Sequence, residues 1–263
     1  MKQNSGTPLT TRVSVKWATT PRFVQRAAQS ERWRGLYSLS SIPVYLRGAG
    51  EFLSLLRWIN ALPTLDVALS PEQQLRFNSL LLTGIPKLVH RGWARTVIRL
   101  PEDVNEFFRG QDRRNLRTGA RGAEREGFHA EWVTGAELFE ALASIVQQRG
   151  WGEPLTMAKF TEMVGATPEE SHAVVVRNAE GRADCINIGV CCHDIFVLRV
   201  GLTTTKSFPR WLAFNRLVYE LHNRGVRLLI GDQITALTAG NIEFQSHVGF
   251  EIVNIRYHTN QAE

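Results

Sequence analysis

Cysteine and long apolar runs are both scarce in this sequence of 263 residues, and each shortage excludes a class of protein. The three cysteines are Cys185, Cys191 and Cys192, an odd number that includes an adjacent pair. Such a set makes a poor disulfide framework, so we expect a reducing, cytoplasmic location. No apolar run reaches the length of about 18 residues that is typical of a membrane-spanning helix, so we expect no insertion into a membrane.

Two signatures of catalytic sites are also missing. The sequence has no Gly-x-Ser-x-Gly motif, so a hydrolase with a Ser-His-Asp triad is poorly supported. The run Cys191-Cys192-His193-Asp194 contains metal-ligating residue types. However, adjacent residues of a strand point to opposite faces, and no second pair with zinc spacing is present. We therefore expect no metal site.

Acidic residues are scarce in the first third of the chain. Residues 1–95 hold 13 Lys and Arg against 4 Asp and Glu, a balance of +9, whereas residues 96–263 hold 18 against 21, a balance of −3. This asymmetry favours an anionic partner such as a nucleic acid, a phosphorylated substrate or a membrane surface. Helical patterns at 22–36, 51–62 and 71–82 predict that residues 1–95 form a basic, mainly helical N-terminal extension.

From residue 96 onward, helical and strand patterns alternate. Strands are predicted at 96–100, 128–133, 172–177, 183–191, 195–202, 226–230 and 250–258, and helices at 135–148, 156–164, 209–224 and 239–248. This order predicts an α/β fold with a mixed, mostly antiparallel central sheet flanked by helices. The strand at 226–230 follows a crossover helix, so it should lie parallel to 195–202. A cleft is expected where these two strands part, around 201–205 and 231–233.

Arginine recurs at every fourth position between residues 109 and 125. The members of this row are Arg109, Arg113, Arg117, Arg121 and Arg125. A four-residue step predicts one face of a single helix, beginning near Pro101 and ending near Gly127. Because guanidinium groups bind phosphate through paired hydrogen bonds, we predict that Arg113, Arg117 and Arg121 contact a phosphorylated ligand. The alternative is a solvated basic face.

Three segments resemble a known superfamily. The run Gly240-Asn-Ile-Glu-Phe-Gln-Ser-His-Val-Gly-Phe250 resembles the last helix of GNAT acyltransferases, which leads through a Gly-Phe pair into the final strand. The run Arg113-Arg114-Asn115-Leu116-Arg117, followed by Glu124-Arg125-Glu126-Gly127, resembles the FemAB-like branch. The helix that begins near Trp211 is similar to that branch as well. The resemblance implies a GNAT-like domain over 96–263 that moves an acyl or aminoacyl group to an amine.

The sequence departs from acetyl-CoA-dependent relatives at the start of the central helix. Those relatives hold pyrophosphate with a glycine-rich loop, whereas this chain reads Thr203-Thr-Thr-Lys-Ser-Phe-Pro-Arg210. FemAB-like enzymes lack the loop and use aminoacyl-tRNA, so the resemblance favours an aminoacyl-tRNA or carrier thioester donor over free acetyl-CoA. At Gln245 the relatives place a tyrosine or a lysine, which this chain lacks.

Amide formation requires a positioned amine, a proton acceptor and donors aimed at the developing oxyanion. For the oxyanion we predict backbone N–H groups around Thr203 and the amide of Gln245. Asp232 is the predicted proton acceptor, with capping of a turn as its alternative. His247 is a second candidate base, with an ordinary surface histidine as its alternative. Lys206 and Arg210 are predicted to contact the donor phosphate or the tRNA terminus.

Three hypotheses remain open from the sequence. The first is an amide-forming transferase that uses aminoacyl-tRNA or a CoA or carrier thioester as co-substrate, without a resident cofactor, and a small-molecule or peptide amine as acceptor. The second is an acyl-CoA N-acyltransferase with an atypical pyrophosphate site. The third is a GNAT-like module that binds nucleic acid without turnover.

Overall fold

The computed structural model describes residues 49–81, 94–204, 208–233 and 239–259. The helices of this part are α1 (Ala49–Asn60), α2 (Pro71–Leu81), α3 (Val104–Phe108), α4 (Arg114–Arg125), α5 (Gly135–Gln148), α6 (Met157–Val164), α7 (Pro209–Asn223) and α8 (Ala239–Val248), with a 3-10 turn at Gln111–Arg113. The strands are β1 (Thr64–Leu69), β2 (Arg95–Arg99), β3 (His129–Thr134), β4 (His172–Arg177), β5 (Ala183–Cys192), β6 (Ile195–Thr203), β7 (Leu228–Gln233) and β8 (Glu251–Thr259). The predicted helix at 22–36 lies outside the described residues.

Eight strands of the described chain form one sheet in the order β1-β8-β2-β7-β6-β5-β4-β3. Strands β3 to β6 pair antiparallel in series, and β2 pairs antiparallel with β8. Parallel pairs join β1 to β8 and β6 to β7. The predicted class is therefore confirmed, as a mixed, mostly antiparallel sheet flanked by helices that is consistent with a GNAT-like fold.

Residue contacts divide the described chain into two compact units. A terminal unit contains the described residues up to Val97, those within Asp232–Ser246, and those from Phe250 onward. A central unit contains Ile98–Gly231 and His247–Gly249. The division of the sequence at residue 95 into an extension and a transferase domain stays a prediction.

In the terminal unit, β1 was missed by the sequence prediction, which assigned this stretch to a mainly helical extension. Leu65, Val67 and Leu69 alternate with more exposed residues along β1 and are buried. The strand pairs in parallel with β8 from Thr64 opposite Asn254 onward. Partners almost 200 residues apart in sequence stabilise this strand, and a local pattern of six residues does not reveal them.

The central unit contains the predicted succession of antiparallel strands, the crossover helix α7 and β7. One face of α7 is buried, and its residues are Pro209, Leu212, Ala213, Phe214, Leu217, Val218 and Leu221. The predicted parallel pairing is confirmed, since Ile195–Val197 of β6 lie opposite Leu228–Ile230 of β7. Strand β6 continues to Thr203 and β7 to Gln233 beyond these pairs. The cleft expected there stays a prediction.

The single arginine helix predicted from Pro101 to Gly127 is wrong. The chain forms the short helix α3, a 3-10 turn and then α4. Gly110 separates them with φ of +88°, a left-handed conformation that glycine adopts without strain. The apolar side chains of α3 and α4 are nevertheless buried, and they are Val104, Phe107, Phe108, Leu116, Ala120 and Ala123.

Candidate functional site

A buried amide and a carboxylate meet in the terminal unit. Gln245 of α8 is 4% exposed, and its Nε2 donates to Asp232 Oδ2 at the end of β7 over 3.0 Å. The hydroxyl of Thr96 donates to the Asp232 carbonyl at 3.3 Å. The Phe250 N–H donates to the Gln245 carbonyl at 3.0 Å, which fixes the last turn of α8. Two residues that the sequence named separately are thus brought together.

Among the described residues, no hydrogen-bond donor reaches the acceptor oxygen of this amide. Gln245 Oε1 is buried and makes no hydrogen bond within the part of the chain that the structure describes. An unsatisfied buried acceptor costs about 1–3 kcal/mol, so each one in a folded protein calls for an explanation, such as a bound water, an ion, a ligand or a catalytic role. Because Nε2 donates to Asp232, the amide offers its oxygen Oε1 to a ligand, and the carboxylate beside it is also a hydrogen-bond acceptor. A ligand that suits them carries N–H donors, as an amine does.

His247 belongs to a different set of contacts. In the central unit, Asn115 Nδ2 lies 3.2 Å from His247 Nδ1, and the Trp211 ring centroid lies 6.2 Å from the imidazole. If Asn115 donates, Nδ1 is the acceptor and the ring proton is on Nε2. His247 therefore packs alongside the helices α4 and α7 in this structure.

Thr203 lies at the end of β6 beside a buried thiol. Burial raises the pKa of the Cys185 thiol to about 12. The Arg210 charge and a hydrogen bond with Thr203 lower this pKa, but their effect is smaller than that of burial. The Thr203 carbonyl accepts from Arg149 Nη1 at 2.8 Å. Arg210 is thus close enough to interact with Cys185, and the thiol itself is too well buried to serve as a nucleophile.

The backbone donors expected near Thr203 are partly occupied. The Thr204 N–H donates to the Asp184 carbonyl at 2.8 Å, and the Thr204 hydroxyl also bonds Asp184. This N–H is therefore unavailable to an oxyanion in this structure, because the chain after β6 continues to bond β5. Lys206, the other predicted phosphate contact in this segment, lies outside the described residues.

The arginine row divides into separate roles. Arg113 holds its guanidinium carbon 5.0 Å above the Phe107 ring and packs so closely on Gly249 that a Cβ there would overlap it. Arg117 Nη1 donates to the carbonyls of Phe108 and, at 3.0 Å, Gly110, so it caps the end of α3.

Arg121 is exposed on α4. Arg109 lies before the helix break, so it does not continue the α4 face that carries Arg117 and Arg121. The break at Gly110 is the physical reason that the predicted row does not form one continuous face. A phosphate contact by Arg121 stays a prediction.

A cavity of about 400 Å³ lies at the end of β2 in the central unit. Its lining residues are Arg99, Pro101, Glu106, Phe107, Arg109, Gly110, Gln111, Asp112 and Arg113. The sequence analysis did not single out Arg99, which lies within the strand predicted at 96–100. The signal that could have found it is a basic residue at the end of a strand, next to the arginine-rich segment.

The part of the chain that the structure describes contains neither a candidate metal centre nor a candidate membrane-spanning helix. There, no three His, Cys, Asp or Glu side chains are grouped so as to hold a metal ion. None of the described helices has the length and apolar character needed to cross a membrane.

No protein-family model matches this sequence, and no curated protein matches it. Among solved structures, the chain is similar to L-PGS from Bacillus licheniformis, with 13% sequence identity and a TM-score of 0.46 over 65% of this chain and 61% of that one. It is also similar to FemX, with 9% identity and a TM-score of 0.48 over 61% of this chain and 59% of that one. The chain thus spans about three fifths of the length of each.

Proposed function

We propose that this protein transfers an acyl or aminoacyl group to an amine, and that Asp232 and Gln245 hold that amine. The observation that carries the proposal is the buried Gln245 amide, which donates to the Asp232 carboxylate, while its own Oε1 has no donor among the residues that the structure describes. An amine supplies an N–H donor to Oε1, and the Asp232 carboxylate can accept the proton that the nitrogen loses. The mixed sheet with a parallel β6–β7 pair, and the resemblance of residues 240–250 to GNAT enzymes, support the reaction class.

The chemistry requires one proton acceptor. The neutral amine nitrogen attacks the carbonyl carbon of an ester or thioester, so the C–N bond forms and the C–O or C–S bond breaks. Asp232 accepts the proton that the nitrogen loses, and the departing oxygen or sulfur leaves with a proton returned from this carboxyl group or from solvent. Gln245 orients both the carboxylate, through Nε2, and the amine, through Oε1.

The donor proposed is an aminoacyl-tRNA or a carrier thioester. The segment from Thr203 to Arg210 lacks the glycines of a pyrophosphate-binding loop, and residues 1–95 carry an excess of nine positive charges, as 13 bases against 4 acids. Both features favour a large anionic donor. The same charge excess favours the second candidate, a module that binds nucleic acid without catalysis.

Asp232→Asn tests the proposed proton acceptor. Asparagine keeps an oxygen that accepts from Gln245 Nε2 but does not take up a proton, so turnover should fall by roughly 10²-fold or more with little change in melting temperature. Asp194→Asn, in the exposed turn between β5 and β6, is the matched control and should leave turnover unchanged. Unchanged turnover of Asp232→Asn with a lowered melting temperature would identify Asp232 as a structural cap.

The donor is tested on the same protein with acetyl-CoA, a panel of aminoacyl-tRNAs and uncharged tRNA. We expect amide formation from an aminoacyl or carrier donor and no thermal stabilisation by acetyl-CoA. A stabilisation of about 2.7 kcal/mol, the value at a hundredfold excess over Kd, would instead support the acyl-CoA alternative. Binding of uncharged tRNA without turnover of any donor would support the nucleic-acid module.

A further inference from the structure

Three arginines from three separate segments line the cavity at the end of β2. Arg99 ends β2, Arg109 follows α3, and Arg113 closes the 3-10 turn. The cavity volume of about 400 Å³ is within the range of small-molecule binding sites and is large enough for a nucleotide. This convergence is a property of the fold, since Arg99 belongs to a strand and the other two to the loop and turn after α3.

Because the helix breaks at Gly110, Arg109 and Arg113 both line the same cavity. With φ of +88°, Gly110 turns the chain between them instead of continuing a helix. Arg113 is held from two sides, by the Phe107 ring and by the close approach of Gly249. A guanidinium held in this way loses little conformational freedom when it binds an anion, so the site is preorganised.

The remaining charges of the cavity indicate what else the ligand carries. Glu106 and Asp112 also line the cavity and are exposed. The charged groups of the lining are therefore three guanidinium groups and two carboxylates. Arg109 pairs with Asp103 at 3.9 Å, where both side chains are largely exposed (72% and 48%), so this ion pair is weak and easily exchanged for a ligand. The carboxylates accept hydrogen bonds from hydroxyl groups, which a bare polyphosphate lacks and a ribose supplies.

We propose that this cavity binds a ribonucleotide, with its phosphate on Arg99, Arg109 and Arg113 and its ribose hydroxyls on Glu106 and Asp112. Guanidinium forks bind phosphate oxygens through paired, charge-assisted hydrogen bonds. The site needs no acyl transfer, so it would serve an enzyme and a nucleic-acid module alike. The nucleotide is either free or the terminus of an RNA, since both present the same chemistry to these residues.

Calorimetric titration of the full chain with AMP tests the site, with adenosine and inorganic pyrophosphate as comparison probes. AMP should bind, adenosine should not, and pyrophosphate should bind more weakly than AMP. Arg109→Gln is the decisive variant, because the side chain is exposed and its replacement should leave the fold intact. Loss of its charge-assisted hydrogen bonds should weaken AMP binding about tenfold or more. Arg99→Gln should act in the same direction.

Arg114→Gln is the matched control, since Arg114 is the exposed neighbour of Arg113 and does not line the cavity. Its AMP affinity should equal that of the unmodified protein. Equal weakening by Arg114→Gln and Arg109→Gln would overturn the proposal, as would equal binding of AMP and adenosine, or no binding of AMP. If a short RNA displaces AMP, the natural ligand is the terminus of an RNA. If the RNA does not displace AMP, the natural ligand is a free nucleotide. Because these titrations need no donor, they fail or succeed separately from the transfer assay.

Discussion

Replacing Gly119 by alanine tests how closely the arginine helix α4 packs against α7. Gly119 is buried in α4, and a Cβ added there would lie 2.5 Å from Trp211 Cγ and 2.8 Å from Trp211 Cβ. Gly122, almost one turn further along the same helix, is the matched control. A Cβ at Gly122 would lie 3.3 Å from Phe208 Cδ1, on a ring that is 37% exposed and has room to move.

The expected magnitude comes from two opposing contributions. Alanine in place of glycine within a helix stabilises by about 0.5–1 kcal/mol, and this gain is common to both variants. Overpacking of a buried contact costs about 1–3 kcal/mol and applies only at Gly119, where the nearest atoms belong to the inner part of the Trp211 side chain. The common gain cancels, so Gly119→Ala should be less stable than Gly122→Ala by about 1–3 kcal/mol.

Urea unfolding followed by far-ultraviolet circular dichroism and by tryptophan fluorescence measures this difference. The free energy of unfolding should fall with urea concentration at the same slope in all three proteins. The midpoint urea concentration of Gly122→Ala should then equal or exceed that of the unmodified protein, and the midpoint of Gly119→Ala should be clearly lower. Equal midpoints for the two alanine variants would refute the reasoning. Trp211 would then move aside without cost, and α4 would not be held at the distance that the structure shows.

Two further predictions concern ionisable groups. The Cys185 thiol has a pKa of about 12 because it is buried. At mildly alkaline pH it should therefore react with iodoacetamide roughly 10³-fold more slowly than an ordinary thiol of pKa about 8.5. Peptide mass spectrometry should find Cys191, which is half-buried, labelled first; early labelling of Cys185 in the native protein would contradict this. The Asp103 side chain caps α3, and the hydrogen bond from the Asn105 N–H holds the pKa of its carboxyl group below the usual value. The ionised carboxyl group adds to the free energy of unfolding at every pH above its pKa in the unfolded chain, and this addition is lost as the pH falls through its pKa in the folded protein. On acidification below about pH 4, Asp103→Asn should therefore lose less stability than the unmodified protein. Identical acid dependence in urea unfolding would exclude this contribution.

Sequence alone determined the elements whose signals are local. The apolar period predicted α5 at Gly135–Gln148, and the Gly249-Phe250 pair marked the end of α8 at Ala239–Val248, both with the bounds that the structure has. Strand β4 at His172–Arg177 was equally well defined, since a run of buried aliphatic residues and a turn mark it. Such features depend on neighbours a few residues apart, and those neighbours are visible in the sequence.

The candidate site was predictable only as separate residues. Asp232 and Gln245 were each named from their positions at the end of a strand and in the last helix, but their hydrogen bond depends on how α8 returns to β7. His247, two residues further along α8, contacts Asn115 instead. A helix turns by about 100° per residue, so neighbouring candidates on one helix face different surroundings, and only the tertiary structure decides which.

Tertiary structure also decided the parts that the sequence misassigned. Strand β1 exists because β8 offers it a parallel partner, and Arg99 reaches the arginine cavity because β2 ends beside the loop after α3. The row of arginines had the correct period for one helix, yet Gly110 adopts a left-handed conformation and Arg117 caps the resulting helix end. The period of a sequence indicates which residues would share one face of a helix if that helix formed. Long-range packing and the backbone freedom of glycine determine whether the helix continues.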